Sequence, residues 1–254
     1  MPHATRHPLT LLLLAVLLAA GRSADAGEGL YLTWNDCAQG PSAAHDAASA
    51  CDVNTGQRTL TCAFTVPVAV DSVLGVQLIV DLQHSEATLP DWWRFATGDC
   101  RAGELRAEFD FTARSACSDV FGGFASGSLL AYYATQPRGG FNQARIVAAA
   151  SRLPDYGYMR FDPDVMYYGA SLVIGNARTV APQAVCAGCA GSACLVLNSV
   201  LIQRQPGASG GDVFIAQPGA GDANFATWQG GATEGCRTVP VRSLTWGQIK
   251  SLYR

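Results

Sequence analysis

Three cysteines crowd into nine residues at Cys186-Ala-Gly-Cys189-Ala-Gly-Ser-Ala-Cys194. Thiols at this spacing suit three kinds of chemistry. A zinc or iron–sulfur site needs four thiolates, or thiolates joined by histidines. Here only Cys236 offers a distant fourth thiol, and no histidine is near. A redox Cys-x-x-Cys pair opens a helix, whose dipole lowers a thiol pKa. Gly188, Gly191 and the strand-like flank after Cys194 oppose a helix. The third reading, structural disulfides, is the default wherever the compartment is oxidising. The cysteines run into Leu195-Val-Leu-Asn-Ser-Val-Leu-Ile202, which reads as a buried strand. A cysteine-clamped turn feeding a core strand is therefore the expected plan of the molecule.

Two carboxylate pairs are the next candidates. Glu108 and Asp110 project from one face of an alternating segment, about 6.6 Å apart at the strand rise. Sandwich-fold glycosidases place acid and base or nucleophile in this way, but one carboxyl must then have a raised pKa. The ordinary reading is a solvated outer face with Arg106 as ion partner, since alternation alone gives this pattern. Asp162-Pro-Asp164 beside Arg160 could hold calcium through oxygen ligands. Two carboxylates without a spaced acidic loop make a weak cation site, and an Asp-capped turn explains them equally. No cofactor site is read from the sequence. His45 and His84 are the histidines beyond the leader, and neither lies in a nucleophile context such as G-x-S-x-G.

Trp92, Trp93, Tyr132, Tyr133, Tyr156 and Tyr158 sit in or near turns. Rings exposed on a β-sandwich stack on sugars or anchor a protein partner. A glycan or another envelope protein is the partner class they suit. The competing reading is core packing at the ends of the sandwich.

The elements that must position these residues begin with an export address. Arg6 and His7 precede the 13-residue apolar run Pro8–Ala20. That run is too short to span a bilayer but suits a signal peptide. Ala24-Asp25-Ala26 is a small-x-small cleavage site, so 1–26 reads as a Sec-type signal peptide and 27–254 as a single β-sandwich domain. No later segment is apolar enough to span a membrane. The expected location is secreted, periplasmic or outer envelope. From residue 27 onward there are 15 Arg and Lys against 19 Asp and Glu, a net of −4, and Lys250 is the one lysine. No basic patch is present to recruit nucleic acid.

Leu30–Trp34, Arg58–Val66, Ser72–Leu82 and Glu104–Phe111 alternate with a period of two. Leu60, Cys62, Phe64 and Val66 share one face of the second, and Leu74, Val76, Leu78, Val80 and Leu82 one face of the third. Residues 38–57 and 156–164 read as loops, and Pro90 opens a short helical turn. Ala144–Arg152 is apolar on both faces and fits a central strand or a short helix; Gly139-Gly140 and Pro154 favour the strand. Tyr167–Ile174, Asp212–Ala216 and Phe225–Gln229 complete about ten strands. The expected fold is all-β, a two-sheet antiparallel sandwich of jelly-roll type.

Nine cysteines leave one without an intramolecular partner, and the strand period nominates inward-facing Cys62 as a buried free thiol. Proximity across loops favours Cys37–Cys51 and Cys100–Cys117. Of the three ways to pair the last four, Cys186–Cys236 with Cys189–Cys194 is the one expected.

The segment Thr245-Trp-Gly-Gln-Ile-Lys-Ser-Leu-Tyr-Arg254 carries an apolar helical stripe of Trp246, Ile249, Leu252 and Tyr253 behind a Thr245 N-cap. A short helix docked on the sandwich is expected, a sorting tag being the alternative. With Trp228-Gln-Gly-Gly231, the Cys186-Ala-Gly-Cys189 clamp and Leu89-Pro-Asp-Trp-Trp93, this segment resembles a group of uncharacterised exported bacterial proteins. The resemblance implies a secreted or envelope protein of bacteria of the Gram-negative type. It carries no activity and no functional residue. The expected role is structural or adhesive, without catalysis. A carbohydrate-binding module is the first alternative and a glycoside-active enzyme the second.

Overall fold

The computed structural model describes residues 29–136, 139–219, 223–230 and 236. The signal peptide read over 1–26 and the helix read over 246–254 lie outside the described residues. In chain order the strands are β1 Gly29–Trp34, β2 Asp46–Ala47, β3 Gln57–Thr65, β4 Val70–His84, β5 Leu105–Glu108 and β6 Ser118–Asp119. They continue as β7 Gly127–Ala134, β8 Gln143–Ser151, β9 Met159–Phe161, β10 Tyr167–Gly175, β11 Ala193–Arg204, β12 Val213–Ile215 and β13 Phe225–Trp228. Asp91–Trp93 and Pro154–Tyr156 are single 3-10 turns.

The strands form two sheets that face each other as a sandwich of jelly-roll type. The smaller runs β1-β3-β10-β5, with β6 beside β10; the larger runs β2-β13-β11-β4-β8-β7, with β12 on β11 and β9 on β4. Pairing between these strands is antiparallel except for the two-residue ladders β6–β10 and β2–β13. The alternation of the sequence explains which face is dry. Leu60, Cys62 and Phe64 of β3 meet Val76, Leu78, Val80 and Leu82 of β4, with Ile146 of β8, Leu172 of β10 and Leu197 of β11, in one buried cluster. Fully burying a side chain of this size contributes about 1.5–3 kcal/mol before entropy. β8 is a strand, and its inward set Ala144, Ile146, Ala148 and Ala150 is buried.

Some strand-level expectations need correction. Leu74 does not face the core; Val73 does. Ser72 has φ 61°, and the register slips beside Val73 in the pairings with both β9 and β11. A slip of one residue exchanges the two faces of a strand. The stretch 156–164 is not all loop, because Met159–Phe161 pairs with the start of β4 as β9.

Cys62 is the free, buried cysteine, and burial pushes its thiol up to about 12. The other eight pair as Cys37–Cys117, Cys51–Cys189, Cys100–Cys186 and Cys194–Cys236. None of the four expected pairings forms. Cys37 leaves β1 on the outer side of the smaller sheet, packed with Phe111, Cys117 and Tyr168. Cys51 instead packs on the central core, which holds Cys189. Likewise Cys189 belongs to the core side of the larger sheet, and Cys194 to its outer side with Val196 and Phe225. These sequence neighbours pack on opposite sides of a sheet, so each bridges to a segment brought near by topology. The clamp is thus a three-way hub, tying its turn to 51, 100 and 236 by separate bonds. Disulfides of this number mark a chain that matures in an oxidising compartment outside the cytosol. Among the described residues no helix is long and apolar enough to cross a membrane.

The outer face of the smaller sheet is covered by its own chain. Phe111 stacks on Tyr168 with centroids 4.7 Å apart, and Arg114 reaches Thr61 at 3.3 Å. Cys37–Cys117 holds the covering segment in place.

Candidate functional site

Trp92 and Trp93 are buried completely and cannot stack on a ligand. The 3-10 turn after Pro90 swings both indoles inward. Trp92 stacks on Trp228 at 5.1 Å and meets Trp93 edge-on at 4.8 Å; Trp34 joins at 5.7 Å from Trp228. Arg101, also fully buried, lies 3.9 Å over the Trp92 ring and donates to the carbonyls of Trp92 and Gly175. Burial brings its guanidinium down to about 10, which leaves it cationic at neutral pH. The indole of Trp228 donates to Cys189 O at 2.7 Å, so this cluster backs the disulfide hub. Tyr132 belongs to the same wall: its hydroxyl donates to Trp93 O at 2.6 Å. Burial raises the Tyr132 pKa, Asp99 adding to the effect.

The open aromatics lie elsewhere. Residues 122–126 form a turn between β6 and β7, and residues 152–157 a turn after β8. Ser126 joins them, its N–H donating to Ser151 O at 2.8 Å and its hydroxyl accepting from Leu153 N–H at 3.3 Å. Phe124 and Tyr156 stack there at 5.2 Å, 27° between planes, while remaining 48% and 52% exposed. Arg152 sits 5.0 Å over Phe124 and donates to Tyr156 O at 2.6 Å. Leu153 is exposed beside them. Tyr158 is also open, and Tyr133 stands apart on the outer face of β7.

A shallow groove of about 240 Å³ adjoins this platform. Ala107, Phe109 and Asp110 line one side, and Ser126, Gly127 and Ser128 the other. It opens where β5, at the edge of the smaller sheet, passes the start of β7, at the edge of the larger. The carboxylate pair is split by this geometry. Asp110 faces the groove; Glu108 does not line it, and pairs with Arg106 at 3.6 Å in the open. The Asp110 carboxylate accepts from the Thr112 hydroxyl at 2.7 Å and its N–H at 3.0 Å. Those bonds hold it below the usual carboxylate range, opposite to the shift a general acid needs.

Asp162 and Asp164 do not converge. Asp162 accepts from Arg160 at 2.7 Å, and Arg160 also donates to Asp71 at 2.7 Å. Asp164 turns away at φ 64° to line a separate shallow cavity of about 250 Å³ with Cys117 and Met166. Among the described residues no group of three or more His, Cys, Asp or Glu gathers for a metal. The His45 ring is exposed near Phe225 O at 3.1 Å. His84 is buried, its Nδ1 accepting from Glu86 N–H at 3.1 Å.

Reading residue types missed Phe124, Arg152 and Leu153. A signal was present: Phe124 is a large apolar residue isolated within Gly-Gly-Phe-Ala-Ser-Gly, where no strand can bury it.

No family model matches the chain, and no curated protein matches its sequence. Among solved structures, a cohesin module from Clostridium perfringens ATCC13124 family 33 glycoside hydrolase aligns over 79% of this chain and 93% of that one, at 8% identity and a TM-score of 0.33. That likeness is too distant to carry an argument.

Proposed function

We propose that this chain is an exported binding protein of the bacterial envelope or exterior, structural or adhesive in role and without catalytic activity. It makes contact through the Phe124–Tyr156 end of the sandwich. One observation carries the reading: two stacked rings stay about half exposed, ordered by Arg152 and Ser126, beside an open groove. Exposed aromatic surface that the fold holds in place marks an interaction site. The four disulfides add to it, since they make a framework that keeps its shape outside the cell.

Carbohydrate binding is the second reading, favoured by the polar lining of the groove. Asp110, Ser126 and Ser128 offer hydrogen bonds next to a flat ring that a sugar face can cover. The mature protein on an array of bacterial glycans and purified envelope proteins tests both. Retention that falls about tenfold or more with Tyr156→Ala is expected. The same samples are offered chromogenic glycosides and polysaccharides. Turnover that disappears with Glu108→Gln overturns the non-catalytic reading.

A further inference from the structure

The two sheets differ in what covers their outer faces. Residues 111–117 and the Cys37–Cys117 bridge cover the smaller sheet. On the larger sheet the outward residues include an apolar patch that stands open or half-open: Leu129 and Tyr133 of β7, Val147 and Ala149 of β8 and Ile79 of β4, with Leu201 of β11 beside it; Gln77 borders the patch on one side and the Asp81–Arg145–Asn198 cluster on the other. Their inward neighbours Leu130, Tyr132, Ile146, Ala148, Leu78, Val80, Val200 and Ile202 are the ones that pack in the core. Register aligns the patch, with Ala131 opposite Val147 and Val147 opposite Ile79, and Leu129 opposite Ala149 in the next outward row. A solvated sheet face should be polar at these positions. A contiguous apolar patch on such a face marks a surface that something covers.

We infer that residues 237–254 of this same chain cover it. The anchor is Cys194–Cys236: Cys194 lies on the outer face with Val196 and Phe225, so the chain beyond Cys236 starts on this surface. Reach is sufficient. Residues 237–245 extend up to about 30 Å, while the three steps from β11 to β7 span about 14 Å. The nine residues 246–254, wound as the helix expected from the sequence, would be about 14 Å long, which matches that width. Its stripe of Trp246, Ile249, Leu252 and Tyr253 supplies the apolar surface. Charge agrees too. Residues 237–254 hold four basic and no acidic side chains, whereas 27–236 hold eleven basic and nineteen acidic. The arrangement repeats the device of the smaller sheet, where a disulfide-pinned segment lays an aromatic ring on the outer face.

The test compares melting temperatures of the mature chain and a chain ending at Leu244, each with and without Val147→Glu. Truncation is expected to lower melting by about 5 °C. Val147→Glu should lower the full chain by a similar amount yet leave the truncated chain within about 1–2 °C, because a carboxylate on an uncovered sheet face is solvated. Truncation without effect overturns the inference. Equal loss from Val147→Glu in both chains overturns it as well, since the segment then lies elsewhere. So does a full-length dimer in light scattering that Val147→Glu returns to monomer, which makes a second copy the cover.

Discussion

His84 ends β4 with its ring buried beside Gly191, and burial lowers its pKa below 6.5, Glu86 offsetting part of the effect. An unfolded chain therefore takes up a proton where the folded one stays neutral. Stability is complete above the ordinary histidine pKa and is lost as pH falls from there through the folded value. We expect the melting temperature to drop between about pH 7.5 and 5.5, and to drop less in His84→Gln. Equal slopes in both proteins would contradict the assignment. At this scale the sequence was readable where one strand decides the answer. Cys62 alternates with Thr61 and Ala63, so its inward aim follows from period two, and its burial follows from that. Trp92 and Trp93 were not readable. A doublet in a strand would split between the faces, but the 3-10 turn puts both inside. The disulfide partners were equally hidden, since proximity in the chain says nothing about which side of a sheet a cysteine faces.

Long strands announce themselves, and short ones do not. β3, β4, β10 and β11 each run nine residues or more, enough for alternation or an unbroken apolar run to show. β9 has three residues and shows no period. Bulges are also silent in sequence, although they set the phase of the residues beyond them. The bulge in β10 between Tyr168 and Ala170 carries Gly169, where the two sheets approach closely. A Cβ at 169 would stand 2.7 Å from Leu78 Cδ2 and 3.4 Å from Cys62 O. Gly169→Ala should therefore force β4 and β10 apart, at about 1–3 kcal/mol, which is a loss of several degrees in melting temperature. Thermal unfolding of the variant checks this; an unchanged midpoint would show that the sheets have room to spare.

Across the whole molecule, the clamp at 186–194 works as a hub rather than a local staple. Its three bridges hold the loop after β2, the segment after the Trp92–Trp93 turn, and Cys236. With Arg101 and four tryptophans packed behind it, that end is closely packed. The opposite functional character belongs to the Phe124–Tyr156 end, where apolar rings stay in water. Fold class was legible because composition and alternation are distributed over the chain. The platform was only half legible: Tyr156 stood out by type, but its partner Phe124 is 32 residues away and meets it through β8 and Ser126. The measurement that bears most directly on the proposed contact site is binding of the mature protein to the glycan and envelope-protein array for three chains. These are the native chain, a Phe124→Ala, Tyr156→Ala double variant, and a control with Phe214→Ala and Val185→Ala, two other exposed apolar positions. At least about a tenfold loss is predicted for the first pair only, with melting temperatures unchanged. Equal retention by all three chains, or equal loss from both pairs, would contradict a contact site at the Phe124–Tyr156 end.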